Sequence, residues 1–249
     1  SENAKFAEIV EAHDIAWIGP KPEHIRTMGD KITAKQTAEK LGIPCVPGSD
    51  GEITTVDEAR KCAKDIGYPV LIKASGGGGG RGMKVVDREE DLAEAFSMTR
   101  KEALQNFGNA AVYMEKYLGK PRHIELQVIG DSHGNAVHLF ERDCSLQRRH
   151  QKLVEFAPAP GLDAALRDRI IDSALTLARA VNYLGIGTFE FLVEPGQDRF
   201  YFMEANPRVQ VEHTVTEQVT GVDLVQSQIW LAAGASLADL NLETAPACE

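Results

Sequence analysis

The chain has 249 residues, of which 43% are hydrophobic and 26% are charged, and its formal net charge is −10 at pH 7. This composition is typical of a globular protein with a substantial core, and the negative charge argues against broad binding of nucleic acid or of anionic membranes. Basic clusters in so acidic a chain therefore indicate local anion sites. The four cysteines form no CxxC pair, which favours reduced thiols over a zinc site.

Hydrophobic periodicity and Gly/Pro punctuation predict an α+β chain with mainly antiparallel sheets. The predicted helices cover residues 3–13, 31–41, 55–66, 89–107, 163–184 and 214–233. The predicted strands cover residues 15–18, 70–74, 83–86, 112–117, 123–129, 136–145, 188–194 and 200–206. We expect residues 67–117 to form a small lobe and residues 118–233 a larger one.

A glycine run follows the first strong strand. Lys73 lies on the face of that strand opposite to the apolar Val70 and Ile72, and Gly76–Gly80 come directly after it, with Gly82 beyond. Backbone N–H groups in such a run can crowd around phosphate oxygens because no Cβ atoms obstruct them. No Gly-Lys-Ser/Thr ends the loop, and a strand rather than a helix follows it. The pattern predicts a flap over a nucleotide, and a flexible linker is the alternative interpretation.

The densest basic cluster lies in the segment ERDCSLQRRHQKLVE. Arg148, Arg149, His150 and Lys152 fall within five residues of an otherwise acidic chain. Such a cluster is typical of a pocket for phosphate or for a small carboxylate-like substrate. The alternative is a solvated strand end, in which Arg142, Arg148 and Arg149 pair with surface glutamates.

The segment GTFEFLVEPGQDRFYFMEANPRVQVEH predicts an antiparallel hairpin around a Pro-Gly turn. In the expected register Glu194 faces Phe200, Leu192 faces Phe202 and Glu190 faces Glu204. Because side chains alternate along a strand, Glu190, Glu204 and Asn206 are expected to share one face. The opposite face is expected to carry Phe189, Phe191, Tyr201 and Met203.

Two opposed carboxylates repel each other unless a cation lies between them. Oxygen ligands from two glutamates and an asparagine suit Mg²⁺ or Mn²⁺ carried in with phosphate. The alternative is an exposed sheet face on which both glutamates are merely solvated. The dense polar continuation in Arg208, Gln210, Glu212 and His213 favours the metal site.

These segments closely resemble the ATP-grasp core of biotin carboxylases, found in acetyl-CoA, propionyl-CoA, methylcrotonyl-CoA, pyruvate and urea carboxylases. The strings that carry the resemblance are GDK at 29–31, IKASGGGGGRGM at 72–83, MEKYL at 114–118, ERDCSLQRRHQK at 141–152, GTFEF at 187–191 and EANPRVQVEH at 204–213. They occur in order at plausible spacings through nearly the whole chain. The resemblance implies an α+β ATP-grasp fold with a small flap subdomain and a larger antiparallel-sheet subdomain, preceded by the tail of a Rossmann-like domain.

The resemblance also implies roles for individual residues. ATP would be bound by Lys31, Lys73, Gly76, Gly77, Gly78, Gly79, Gly80, Gly82, Glu115, Lys116, Leu118, His123, Gln147, His150, Glu190 and Glu204. The metal ions, Mg²⁺ or Mn²⁺, would be held by Glu190, Glu204 and Asn206. Bicarbonate would be positioned by Lys152, Arg208, Gln210, Val211 and Glu212. Lys152, Arg208 and Glu212 would be catalytic, with Glu212 as the base that deprotonates bicarbonate.

Family members make carboxyphosphate from bicarbonate and ATP and then carboxylate biotin on a carrier protein, which passes the carboxyl group to a carboxyltransferase. The expected division is residues 1–30 as the tail of an N-terminal domain, 31–233 as the ATP-grasp domain with its flap at 67–117, and 234–249 as the start of a further segment. We expect the chain to be truncated at both ends. Family members begin earlier, with a nucleotide-fold-like domain of which only the tail is found here, and no counterpart of their enolate-stabilising arginine follows Ala233. A homodimer and a cytoplasmic location are expected, or the mitochondrial matrix if a transit peptide was removed.

Two other functions stay open from the sequence. One is a different ATP-grasp carboxylate–amine ligase, such as the synthetase half of carbamoyl phosphate synthetase. The other is a nucleotide-binding fragment without turnover.

Overall fold

The computed structural model describes residues 2–76 and 82–248, so Gly77–Gly80 and Arg81 of the predicted flap lie outside the described residues. The elements run in the order α1 (Ala4–Ala12), α2 (Pro22–Gly29), α3 (Lys31–Lys40), α4 (Val56–Ile66), β1 (Val70–Ala74), β2 (Met83–Val86), α5 (Glu89–Phe107), β3 (Val112–Lys116), β4 (Arg122–Gly130), β5 (Ala136–Arg148), β6 (Gln151–Phe156), α6 (Ala164–Ala180), β7 (Gly185–Val193), β8 (Phe200–Asn206), α7 (His213–Thr220) and α8 (Leu224–Ala232). No helix in these ranges has both the length and the apolar character needed to cross a bilayer.

A three-stranded antiparallel sheet, in the order β2-β1-β3, forms the smaller part of the molecule. Val70 and Ile72 of β1 pack with Met114 of β3 against α4 and α5, and Lys73 faces away from that core, as its place in the strand predicts. The segment before α4 closes on β3, because Lys116 N donates to Pro47 O. Gly48 is required there, since a Cβ would lie 2.3 Å from Met114 O.

A five-stranded antiparallel sheet, in the order β6-β5-β4-β7-β8, forms the larger part. Along β4, Ile124, Leu126 and Val128 are buried in a core with helix α6, while the alternate residues Glu125 and Gln127 face the other side. Helices α7 and α8 pack against β5 and β7. The prediction of two mainly antiparallel sheets is confirmed.

The β7–β8 hairpin forms with Glu190 opposite Glu204, as predicted, but its register shifts by one residue beside that pair. Phe202 therefore pairs with Phe191 rather than with Leu192, and Val193 rather than Glu194 faces Phe200. The predicted placement of Tyr201 and Met203 on the face of Phe189 and Phe191 is wrong. The extra residue of a β-bulge places Met203 and Glu204 on the same cavity, while Phe200 and Phe202 enter the core.

Several other boundaries differ from the sequence prediction. Residues 15–18 pair with no strand in the described chain, and helix α2 and strand β6 were not predicted. The predicted helix 163–184 is the shorter α6, and the predicted helix 214–233 is two helices. The break falls at Gly221, whose φ of +68° ends α7 in the left-handed conformation that glycine adopts at low cost.

Candidate active site

A cavity of about 810 Å³ lies between the two sheets. Most of the predicted site residues line it. They are Lys31, Lys73, Glu115, Lys116, Leu118, His123, Gln147, His150, Lys152, Glu190, Glu204, Asn206, Arg208, Gln210, Val211 and Glu212. Gly76 and Gly82 flank the undescribed residues and are not among those that line the cavity. Residues spread over some 180 positions of sequence are thus brought together.

The wall from the small sheet carries an excess of positive charge. The buried carboxylate of Glu115 lies 2.5 Å from Lys73 Nζ and 3.5 Å from Lys35 Nζ. Burial tends to raise the pKa of Glu115, but the charges of Lys73 and Lys35 outweigh it and lower that pKa, so the carboxylate is ionised. Glu115 is shared between Lys73 of β1, which lines the cavity, and Lys35 of helix α3, which does not. Because one carboxylate serves two ammonium groups, this side of the cavity retains a positive charge for an anion.

The wall from the large sheet carries a transverse row of charged side chains. Arg142 of β5 pairs across the ladder with Glu125 of β4, Glu125 with Glu190 of β7, and Glu190 with Glu204 of β8. Three carboxylates on neighbouring strands repel one another unless cations are placed among them. The row therefore explains why basic side chains from β6 and α3 converge on it.

Lys152 of β6 is the central cation of this wall. Its Nζ contacts Glu125, lies 3.0 Å from Glu190 Oε1 and lies 2.6 Å from Glu212 Oε1. Burial tends to lower the pKa of Lys152, but the charges of Glu190 and Glu125 outweigh it and raise that pKa strongly. Burial tends to raise the pKa of Glu212, but Lys152 lowers it, so Glu212 is a carboxylate at neutral pH. The pair thus places an ionised base beside a fixed positive charge.

Glu190 is held by neighbours on several sides. Its Oε1 accepts from Asn206 Nδ2 at 2.9 Å and from Gln210 Nε2 at 3.1 Å, and its Oε2 lies 2.7 Å from His123 Nε2. Burial tends to raise the pKa of Glu190, but His123 and Lys152 outweigh it and hold that pKa well below the usual range. Glu190 is therefore ionised in the fold.

The opposite end of the row lies beside α3. Lys31, the first residue of that helix, places its Nζ 2.7 Å from Glu204 Oε2. Arg208 donates from Nη2 to Asn206 Oδ1 at 3.1 Å, and its Nε lies 3.0 Å from Glu2 Oε2. Lysine and arginine side chains therefore border the acidic pair on both sides.

The side chains fit a hard divalent cation at the acidic pair. Glu190 and Glu204 face one cavity from neighbouring strands, and Asn206 carries a third oxygen, Oδ1, which here accepts from Arg208 Nη2. Among the described residues, the buried Oε1 of Gln210 has no hydrogen-bond partner, which leaves an uncommitted oxygen next to this pair. A second group, His123, Glu125 and Glu190, also places ligand atoms within 4.8 Å of one another. Lys152 Nζ already bonds both of those carboxylates, so that group is interpreted as an ion-pair cluster.

The sequence prediction missed three buried charges of the site. Lys35, Glu125 and Arg142 are each less than 10% exposed, and none was assigned a role. The alternation of Glu125 and Gln127 with apolar residues in β4 is the signal that indicates a polar sheet face. The basic cluster is also divided, because His150 and Lys152 line the cavity while Arg148 and Arg149 are exposed at the β5–β6 turn. The interpretation of Arg142 as a surface residue is wrong, since it is fully buried.

Comparison with known proteins finds relatives of similar sequence and of similar structure. A biotin carboxylase of Nostoc sp. is 56% identical over 237 residues, which are 95% of this chain and 53% of that protein. The crystal structure of a biotin carboxylase–beta-gamma-ATP complex from Campylobacter jejuni matches with a TM-score of 0.93 at 51% identity, over 95% of this chain and 53% of that one.

A third similar structure is the biotin carboxylase domain dimer of Hydrogenobacter thermophilus 2-oxoglutarate carboxylase, in complex with MgADP, ADP and bicarbonate. It matches with a TM-score of 0.92 at 47% identity, over 95% of this chain and 52% of that one. The chain thus spans about half the length of these relatives. The similarity confirms the predicted α+β ATP-grasp fold and the resemblance to biotin carboxylases.

The model of the family described as carbamoyl-phosphate synthase L chain, ATP binding domain, matches residues 30–240. That match includes every cavity-lining residue and both sheets. The chain belongs to this ATP-binding domain family.

Proposed function

We propose that this chain is the ATP-binding core of a biotin carboxylase, which activates bicarbonate with ATP and carboxylates biotin. The observation that carries the proposal is the contact of Lys152 with Glu212 and Glu190 in one cavity. It supplies an ionised base and an anion-holding ammonium group beside a predicted metal-binding pair. The likeness to biotin carboxylases supports the same activity.

Lys31 and Lys73, which both line the cavity, would bind the phosphates of ATP, and Glu115, Lys116 and Leu118 would border the adenine. Lys116 Nζ donates to the carbonyl oxygens of Gly67 and Tyr68, so its side chain is turned back toward the small sheet. His123, Gln147 and His150 would lie near the base, ribose or phosphates. Glu190, Glu204 and Asn206 would hold Mg²⁺ or Mn²⁺, which when bound neutralises charge on the triphosphate.

Bicarbonate is a poor nucleophile, so the site must deprotonate it and align it with the γ-phosphate. Lys152, Arg208, Gln210 and Val211 would hold the anion while Glu212 accepts its proton. The freed oxygen then attacks the γ-phosphorus, the bond to the bridging β-oxygen breaks, and ADP leaves as carboxyphosphate forms. Cationic side chains stabilise the charge that builds on the transferring phosphoryl group.

Carboxyphosphate breaks its bond between the carboxyl carbon and the bridging oxygen and releases CO₂ and phosphate. The phosphate accepts the proton of biotin N1′, and the deprotonated nitrogen attacks CO₂ to form carboxybiotin. Biotin on a carrier protein or domain and a carboxyltransferase are the partners that this function requires, and a homodimer is included in the proposal. We also propose the division into residues 1–30, 31–233 and 234–249. The family match begins at residue 30, which supports the first boundary, and it extends to residue 240, seven residues beyond the second. The four free cysteines are compatible with the predicted cytoplasmic location, which stays a prediction.

The test is ATP hydrolysis by the natural gene product, measured with and without bicarbonate and with and without free biotin. Stimulation by both substrates is expected. Binding of nucleotide without turnover would contradict the proposal and would favour the non-catalytic interpretation.

A second candidate is ATP-dependent phosphorylation of bicarbonate followed by attack of an amine. The description of the matching family model favours it, because it names a carbamoyl-phosphate synthase chain. The same assay separates the two candidates. Stimulation by ammonia or an amino acid, without stimulation by biotin, would support the second.

A further inference from the structure

Arg142 is a fully buried cation beneath the cavity. Its Nε donates to Glu125 Oε1 at 2.6 Å, and its Nη1 donates to Gln127 Oε1 and Thr216 Oγ1, each at 2.8 Å. Its Nη2 donates to Thr188 Oγ1 at 3.3 Å. The guanidinium group therefore joins strands β4, β5 and β7 to helix α7 through a single planar fork.

The first consequence of these contacts concerns charge. Glu125 is completely buried, and its two oxygens are divided between Arg142 and Lys152. A buried carboxylate needs a compensating charge. If Arg142 were absent, Glu125 would depend on Lys152 alone and would draw that ammonium group away from Glu190 and Glu212. Arg142 thus leaves Lys152 available to the cavity.

The second consequence concerns position. Thr216 lies one turn into α7, and Glu212 is the N-cap residue of that helix. The bond from Arg142 to Thr216 therefore fixes the helix whose first turn carries the proposed base. The N-cap residue makes no side-chain capping bond, so the bond of Thr216 to Arg142 adds to the contact of Glu212 with Lys152 in holding this end of the helix.

Building on the proposed function, we propose that Arg142 is a positioning residue for bicarbonate activation. It neutralises Glu125 so that Lys152 can face Glu212, and it holds α7 against the sheet. It touches no substrate, and its effect reaches the chemistry through Lys152 and Glu212.

The test compares Arg142→Lys, Thr216→Val and the matched control Arg167→Lys in the natural gene product. Arg167 also pairs with a buried glutamate, with Nε 2.8 Å from Glu141 Oε1, but that glutamate accepts its other bond from Ala159 N, whereas the partner of Arg142 bonds Lys152. Three quantities are measured for each variant: amide hydrogen exchange across residues 213–220, the Kd of ATP, and kcat for bicarbonate-dependent ATP hydrolysis.

For Arg142→Lys we expect faster exchange in α7 and a kcat lowered about 100-fold, the loss typical of a misplaced catalytic group, with the Kd of ATP nearly unchanged. Thr216→Val removes the bond to α7 but leaves the bond between Arg142 and Glu125 in place. It should therefore speed exchange in α7 with a smaller loss of kcat. Arg167→Lys should change none of the three measured quantities. The proposal would be overturned if Arg142→Lys had the same kcat as Arg167→Lys. It would also be overturned if hydrogen exchange in α7 were unchanged in both Arg142→Lys and Thr216→Val.

If the parent protein shows no bicarbonate-dependent hydrolysis, the proposed function fails on its own. Hydrogen exchange in α7 still decides whether Arg142 positions that helix, so the two failures are distinguishable.

Discussion

The two walls of the cavity have opposite charge arrangements. At the small sheet, one carboxylate, Glu115 of β3, lies between Lys73 of β1 and Lys35 of helix α3. On the large sheet, one ammonium group, Lys152, contacts Glu125, Glu190 and Glu212. The first wall is suited to bind a polyanion, and the second is suited to hold cations and to accept a proton. We therefore expect the small-sheet wall to contribute mainly to phosphate binding and the large-sheet wall mainly to metal binding and proton transfer.

The largest expected effect is that of Glu190→Gln. The change removes a proposed metal ligand and leaves Lys152 and His123 without one of their partners. Loss of metal-assisted charge stabilisation, worth several kcal/mol, should lower kcat for bicarbonate-dependent ATP hydrolysis by at least about 10³-fold. Steady-state kinetics with varied Mg²⁺ measure this.

Glu194→Gln is the matched control for that variant. Glu194 follows β7 and accepts from Tyr201 OH at 2.9 Å, but it does not line the cavity. Equal activity of the two variants would remove Glu190 from the metal site.

Glu212→Gln tests the proton acceptor of the acidic wall. The neutral amide cannot take the proton of bicarbonate, so kcat should fall about 10²- to 10³-fold while the Kd of ATP stays nearly constant. The side chain makes no capping bond to α7, so the substitution removes no helix cap. A variant as active as the parent in bicarbonate-dependent turnover would exclude Glu212 as the base.

Lys73→Met tests the basic wall and should act on binding rather than on chemistry. Charged hydrogen bonds contribute about 1.5–3 kcal/mol each, so the Kd of ATP should rise about 10- to 100-fold. Lys84→Met is the control, because Lys84 lies on the neighbouring strand and pairs with Glu102 at 3.0 Å outside the cavity. Equilibrium nucleotide binding measures both, and a larger fall in kcat than in affinity would contradict the division between the walls.

The smallest expected effect lies outside the cavity, at the buried His24, and it bears on stability alone. His24 Nε2 lies 3.0 Å from Val181 O and its Nδ1 accepts from Leu184 N at 3.4 Å, an arrangement that suits the neutral ring. Burial lowers the pKa of His24, so the unfolded chain binds more protons below about pH 6.5. This contribution is fully present above that pH and is lost as pH falls toward the folded pKa.

Denaturant unfolding between pH 7.5 and pH 5 should show this loss as a fall in the free energy of unfolding. In the variant His24→Gln the free energy of unfolding should depend less steeply on pH than in the parent. Substitution of the exposed His13 should leave that dependence unchanged. Identical slopes for the parent and for His24→Gln would remove His24 as the cause.

The sequence predicts most elements where apolar periodicity is long or turn chemistry is strong. Strands β1 and β2 and helix α5 have the predicted bounds, and Glu190 lies opposite Glu204 as expected. Strand β6 was missed because it is a largely exposed edge strand. Its sequence lacks the strict alternation of apolar and polar residues that is typical of a half-buried strand.

The partners of the predicted site residues could not be derived in the same way. Lys35 and Arg142 are buried because of contacts with residues 80 and 17 positions away, respectively, and one sequence carries no direct signal of such pairings. The register shift beside Glu190 could not be derived from the sequence either. A β-bulge of one residue brings Phe202 into the core, and the alternation of side chains alone predicts no bulge.

That shift also decides where this hairpin can lose a residue. Deleting Met203, the extra residue of the bulge, would leave Phe202 next to Glu204, and regular alternation would keep Phe200 and Phe202 in the core and Glu204 and Asn206 at the cavity. Deleting Tyr201 instead would make Phe200 and Phe202 neighbours in the chain, so alternation would turn one of them away from the core. The same shortening by one residue is thus accommodated at the bulge and disruptive two positions away.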